Sequence, residues 1–231
     1  MLSALPTGCG SLDGLLGGGL PRDAVSLVYG EAETGKTCLA MQCAVSSAKM
    51  GYKALFIDSD GTLSTRRLSQ IAGHDFEEIS PLIILMRPTD FQEQARTIDH
   101  LEEYTAGRVG LVVMDTITSL YRVELGDSKE TFALNRELNR QVACLAQVAK
   151  MRRVAVLMTS QVRSVFVEGR SGVEPVATRV LKFWSDVVVQ LKNTGQPRVV
   201  KALLHKSPAH KRPVGCYLRI EENGLRGYSQ N

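Results

Sequence analysis

Between Val25 and Ala48 the chain commits itself to a strand, a glycine-bounded turn and a helix. Val25-Ser26-Leu27-Val28-Tyr29 is an apolar run of strand length, Leu39 to Ala48 has a helical pattern, and Gly30-Glu31-Ala32-Glu33-Thr34-Gly35-Lys36-Thr37 joins them. That joint satisfies GxxxxGK[ST] in the strand-to-helix setting a P-loop requires. Gly30 and Gly35 let the backbone N–H groups of Glu31, Ala32, Glu33, Thr34 and Cys38 turn toward phosphate oxygens, and the helix N-terminus adds partial positive charge. Lys36 is placed to reach the β- and γ-phosphates and Thr37 to offer its hydroxyl to a metal ion. ATP with Mg2+ is therefore the expected ligand. A P-loop also needs a carboxylate at the end of another strand to hold the metal's water shell, and Leu111-Val112-Val113-Met114-Asp115 supplies one. A second strand ends in acid at Asp58-Ser59-Asp60, where either aspartate can orient water or cap the following turn.

Further apolar runs of strand length recur at Ala54 to Ile57, Leu82 to Leu85, Leu111 to Met114, Val154 to Met158 and Val187 to Leu191, separated by helical patterns. Such alternation predicts βαβ units and a mainly parallel sheet. Leu134, Leu138, Val142, Leu145 and Ala149 recur every three or four residues within Glu130 to Arg153, one apolar stripe of a helix that covers the sheet. After Thr178 the pattern predicts a short helix and three strand-like runs ending near Ile220, with a turn at Gly195-Gln196-Pro197. These are expected as antiparallel additions at the sheet edge.

A chain of 231 residues with 44% apolar residues can bury one substantial core. With no linker-like stretch, one domain over 1–231 is expected. Five cysteines without a CxxC pair predict reduced thiols, and no run is long enough to span a bilayer, so the chain is expected to be soluble and cytoplasmic, without membrane association. His74, His100, His205 and His210 lack ligand spacing with the cysteines, so no metal beyond Mg2+ is expected. Charge divides unevenly: residues 1–149 carry 13 Lys+Arg against 19 Asp+Glu, and residues 150–231 carry 15 against 5. The basic C-terminal part is either a solvated surface or a face that meets phosphates.

With the P-loop go Thr7-Gly8-Cys9-Gly10-Ser11-Leu12-Asp13 and Leu15-Leu16-Gly17-Gly18-Gly19, followed by the P-loop form that ends at Gln42. On these residues nearly the whole chain resembles the RecA/RadA recombinase superfamily, in particular its short archaeal paralogues. The resemblance implies an α/β, RecA-like P-loop NTPase core, its mainly parallel central sheet flanked by helices. Phe56-Ile57-Asp58-Ser59-Asp60-Gly61-Thr62 is similar to the family's Y-I-D-T-E-G-T segment, which puts Asp60 where the family has its water-positioning glutamate. A carboxylate one methylene shorter implies slow hydrolysis, a weak Mg-dependent ATPase at most. Arg67 matches an arginine that either stacks on adenine or is a surface cation.

Met158-Thr159-Ser160-Gln161-Val162 resembles the family's T-N-Q-V motif, which makes Gln161 the γ-phosphate sensor. Lys36, Asp60 and Gln161 form the implied catalytic set. Thr118-Ser119-Leu120-Tyr121-Arg122 resembles the entry to a first DNA-facing loop, Glu124 to Lys129. A second, flexible loop is expected over Arg163 to Ala177, with Arg163, Phe166, Gly169, Arg170, Ser171 and Gly172. The run Pro175 to Ser185, which includes Arg179, is similar to a run of the short paralogues in which two glycines replace residues here. Arg122, Arg163, Arg170 and Arg179 are the implied DNA contacts. Because the chain starts almost at the ATPase core, no N-terminal DNA-binding domain is expected. The resemblance then implies an accessory protein of homologous recombination and DNA repair that binds single- or double-stranded DNA and assists a RadA-type recombinase, with a homodimer possible. The alternatives are a P-loop small-molecule kinase, for which no arginine-rich lid stands between Asp60 and Asp115, and a ring-forming ATPase of the same superfamily.

Overall fold

The computed structural model describes residues 3–125, 128–167, 170–208, 210 and 213–229; the side chains of 128–130 and 164–172 lie outside the described part. The chain opens with β1 (Ala4–Leu5), α1 (Gly10–Leu16) and β2 (Leu20–Pro21), and the two strands pair antiparallel. Then come β3 (Val25–Gly30), α2 (Lys36–Lys49), β4 (Lys53–Asp58), α3 (Thr65–Ala72), α4 (Phe76–Ile79) and β5 (Ile83–Met86). These are followed by α5 (Phe91–Asp99), α6 (Leu101–Tyr104), β6 (Val109–Asp115), α7 (Ser119–Val123), α8 (Ser128–Arg152) and β7 (Ala155–Ser160). The last third holds β8 (Val162–Val167), β9 (Arg170–Pro175), α9 (Thr178–Trp184), β10 (Val187–Asn193), β11 (Val199–Lys206), β12 (Val214–Glu221) and β13 (Gly224–Tyr228).

Among the described residues nine strands form one sheet in the order β13-β12-β11-β10-β3-β7-β6-β4-β5. From β10 to β5 every pairing is parallel, and β11, β12 and β13 extend the β10 edge antiparallel. Strands β3, β6 and β7 are buried along their whole length, which is why each reads as an unbroken apolar run instead of an alternating one. One face packs a core with residues of α1, α2 and α3, including Leu12, Leu39, Cys43 and Leu68; the other packs α5, α8 and α9 through Phe91, Ile98, Leu138, Val142, Leu145 and Leu181. The α8 stripe faces the sheet as its spacing predicts, with Leu134 partly buried at its start. Caps fix two of the entries: Ser64 Oγ accepts from Arg67 N at 3.3 Å ahead of α3, and Asp90 Oδ1 from Glu93 N at 2.6 Å ahead of α5.

Two parts differ from the sequence expectation. The segment expected as a flexible second loop is largely a hairpin, β8 pairing with β9 from Val162 opposite Pro175 to Val167 opposite Arg170. The β-branched valines at 162, 165 and 167 suit that ladder better than its glycines suit a loop. The C-terminal edge also gains β13 beyond Ile220, pairing back through Ile220 opposite Leu225. Among the described residues no helix is long and apolar enough to cross a membrane.

Candidate functional site

Because β3, β7, β6 and β4 run parallel, their C-terminal ends open on one rim, the place where α/β sheets of this kind accept ligands. β3 delivers the P-loop, β7 ends at Ser160 before Gln161, β6 ends on Asp115, and β4 runs into Ser59 and Asp60. Together they shape a cleft of about 520 Å³ lined by Gly30, Ala32, Glu33, Lys36, Thr37, Asp60, Thr62, Thr116, Gln161 and Val162.

The P-loop is held from behind. A Cβ on Gly30 would stand 2.4 Å from the Leu191 carbonyl oxygen on β10, and Gly35 enters α2 at φ 88°; both positions require glycine. Thr34 Oγ1 donates to the Glu31 carbonyl at 2.8 Å. Gly35 gives α2 no side-chain cap, so its first backbone N–H groups face the loop and make an anion site. Lys36 Nζ donates to the carbonyls of Gly30 at 2.9 Å and Glu31 at 2.7 Å, which keeps the ammonium at the loop. Burial lowers the Lys36 pKa, against the pull of the Asp115, Asp60 and Glu31 carboxylates.

Asp115 is fully buried. Its Oδ1 accepts from the Thr159 hydroxyl, and its Oδ2 has no hydrogen-bond partner among the described residues. Burial raises its pKa, with the Thr159 and Thr37 hydroxyls opposing. An uncompensated buried carboxylate oxygen near a threonine hydroxyl is an all-oxygen donor set, the kind a small hard cation takes, so Thr37 and Asp115 fit the expected Mg2+.

The two acidic residues of the β4 turn divide their tasks. Asp58 accepts from Thr62 N at 3.0 Å, Leu63 N at 3.1 Å and Arg87 Nε at 3.2 Å, so it caps the turn. Asp60 lines the cleft, its Oδ2 accepting from Thr116 Oγ1 at 2.6 Å. Behind them Ser59 Oγ donates to Gln94 Oε1 at 2.9 Å, and Gln94 Nε2 donates to Gln141 Oε1 at 2.8 Å and to the Ile117 carbonyl at 3.3 Å. This buried amide pair ties both strand-end turns to α8.

The remaining candidates fall around the cleft. Glu31 and Cys38 do not line the cleft: Glu31 is exposed and accepts from Asn193 Nδ2 at 3.3 Å, and Cys38 is buried. Arg67 lies outside the phosphate cleft: its guanidinium donates to the Glu222 carbonyl at 2.9 Å, to that of Glu221, and to Cys38 Sγ at 3.4 Å. The turn between β12 and β13 thus closes on the start of α2. Arg122 donates to Gln161 Oε1. Arg163 and Arg179 meet at a second cleft, about 710 Å³, with Tyr121, Leu125, Glu174 and Val176 among its lining. Gly169 and the side chains of Phe166 and Arg170 lie outside the described residues, as does part of the first loop. Thr62, Thr116 and Val162 line the cleft as well, each within two residues of a motif residue named from the sequence.

A parallel sheet with a P-loop at its rim, a buried strand-end aspartate and a strand-end glutamine between them defines the RecA-like recombinase class. The chain belongs to the Rad51 family, whose model matches residues 1–228. Within that class it is similar to the DNA repair and recombination protein RadB of Methanococcoides burtonii, 36% identical over 225 residues, covering 96% of this chain and 97% of that one. RadB of Methanococcus maripaludis is 33% identical over 215 residues, covering 93% and 96%. A solved structure described as the RadB recombinase superposes with a TM-score of 0.84 at 32% identity, over 97% of this chain and all of the other. Family membership sets aside the small-molecule kinase.

Proposed function

We propose that this chain binds ATP with Mg2+ at the rim cleft and uses it chiefly as a conformational ligand that sets DNA affinity, acting as an accessory protein beside a RadA-type recombinase in homologous recombination and DNA repair. Lys36 and the first amides of α2 hold the phosphates, and Thr37 and Asp115 hold the metal. When bound, Mg2+ neutralises charge on the β- and γ-oxygens.

The observation that carries the reading is the place of Gln161. Its side chain lines the phosphate cleft and accepts from Arg122 at the edge of the first DNA-facing segment. Its backbone carbonyl accepts from Val176 N at 3.1 Å at the base of the β8–β9 hairpin. A γ-phosphate that engages the amide changes its bond to Arg122 and the seat of the hairpin together, a two-state element of the kind nucleotide switches use. Slow turnover is consistent with Asp60: its carboxylate is short, and one oxygen is already committed to Thr116.

Fluorescence anisotropy with labelled single-stranded and duplex DNA, with and without Mg–ATP, tests this. The expected result is a nucleotide-dependent DNA affinity that Gln161→Ala abolishes while ATP still binds. Equal affinity with and without ATP in the wild type, or no binding at low salt, overturns it.

A further inference from the structure

Among the described residues the antiparallel extension has helices on one face only. α1 and α2 pack against β11, β12 and β13 through the core that includes Val200, Ala202, Leu204, Leu218 and Leu225. Side chains alternate along a strand, so the opposite face carries Lys192 of β10, Lys201 and Leu203 of β11, Tyr217, Arg219 and Glu221 of β12, and Tyr228 of β13. Among the described residues no helix covers that face.

Two features of its electrostatics are unusual. Lys192 and Lys201 are directly opposed cross-strand partners, and like charges so placed destabilise a ladder. Among the described residues neither they nor Arg219 has a carboxylate within ion-pair distance, and Glu221 is the one acidic residue in the four strands. The cations also interleave with rings: Lys201 Nζ lies 5.4 Å from the centroid of Tyr217, which is its cross-strand partner, and Arg219 Cζ lies 4.5 Å from that of Tyr228. Arg226, opposite Arg219, turns its head toward Asn223 and the Gly8 carbonyl.

We infer that this open face is a second nucleic-acid surface, separate from the β8–β9 hairpin, and that its occupant is a single strand. Unneutralised cations in a row match a phosphodiester backbone. Aromatic rings set among them on a sheet face suit unstacked bases, which a duplex keeps inside. From β10 to β13 the row crosses three strand spacings, about 14 Å, a short tract of one strand. An acidic peptide would satisfy the charges and leave the tyrosines without a role. The inference goes beyond the proposed function and shares with it only the ligand's chemistry.

The test is anisotropy of fluorescein-labelled oligothymidylate across a salt series, on the full chain, for the wild type, Lys201→Gln/Arg219→Gln and Arg163→Gln. Removing two phosphate contacts from a single strand flattens the slope of log K against log salt by about 1.4. The double variant is expected to show that change and weaker binding, with an undiminished melting temperature because a like-charge pair is relieved. A slope and affinity equal to the wild type's overturn the sheet surface, and Arg163→Gln reports on the hairpin independently. No wild-type binding at low salt overturns both readings together. A photo-crosslinker at Leu203 gives a second measurement: labelling of the oligonucleotide supports the surface, and failure to label under conditions of saturated binding overturns it.

Discussion

Gln42 links the P-loop helix to the far end of the chain, and its replacement by methionine isolates that link. It is 4% exposed, its Oε1 accepts from Leu225 N at 2.6 Å and its Nε2 donates to the Leu225 carbonyl at 3.2 Å. β13 is the edge strand, so the glutamine amide takes the place of a further strand. Methionine has nearly the same volume and neither polar group, so Gln42→Met leaves one buried donor and one buried acceptor unmet. At about 1–3 kcal/mol for each unsatisfied group, and with some relief from water at an edge, the expected loss is about 2–4 kcal/mol. For a chain of this size that is a fall of roughly 4–16 °C in melting temperature. Urea and thermal melts measure the total, and hydrogen exchange at the Leu225 amide locates it. A loss below about 0.5 kcal/mol with Leu225 still protected would refute the reasoning. Gly224 offers an internal control. A Cβ there would stand 2.4 Å from Gln42 Oε1 at a backbone φ of 116°, so Gly224→Ala disturbs the same clamp and should combine with Gln42→Met sub-additively.

Asp60→Glu is expected to raise single-turnover ATP hydrolysis by roughly tenfold to a hundredfold, since about 1 Å of misplacement carries a cost of that order; a rate that falls or stays put counts against the positioning role. Burial holds the Asp115 carboxyl above the usual carboxylate range. The folded chain therefore loses stability as pH rises from the unfolded pKa through the folded one, and Mg2+, which needs the ionised form, restores it. The Mg–ATP-dependent rise in melting temperature should accordingly shrink on acidification above the ordinary aspartate range, and an increment that is flat down to that range is the contrary result. Gly30→Ala forces a Cβ against the Leu191 carbonyl and should cost about 1–3 kcal/mol in a urea melt through overpacking; a neutral outcome would mean that β3 and β10 separate freely.

What was legible in the sequence is what is local. The strand cores, the α8 stripe and the P-loop depend on neighbours within a few residues, and the sheet placed Lys36, Asp60, Asp115 and Gln161 on one rim as the motifs imply. The different tasks of Asp58 and Asp60 were not legible, because they depend on which way each side chain leaves a turn that Arg87 also grips. Gln42 stood at the end of a motif with no role visible, since its partner is 183 residues away. The β8–β9 hairpin was hidden by its glycine and serine, whose loop character the ladder overrides. The open sheet face was hidden most completely, because Lys192, Lys201 and Arg219 become neighbours only once the register is set.

The seat of the β12–β13 turn against α2 has a consequence for how the protein is made. Gly35 faces Ile220 and Leu225, and Arg67 is held by the carbonyls of Glu221 and Glu222. A nascent chain therefore carries the P-loop early and makes the wall beside it only once Leu225 has been added. At roughly 5–20 residues per second the interval between Gly35 and Leu225 is about 10–40 s. During that time the helix that follows the P-loop lacks this packing partner.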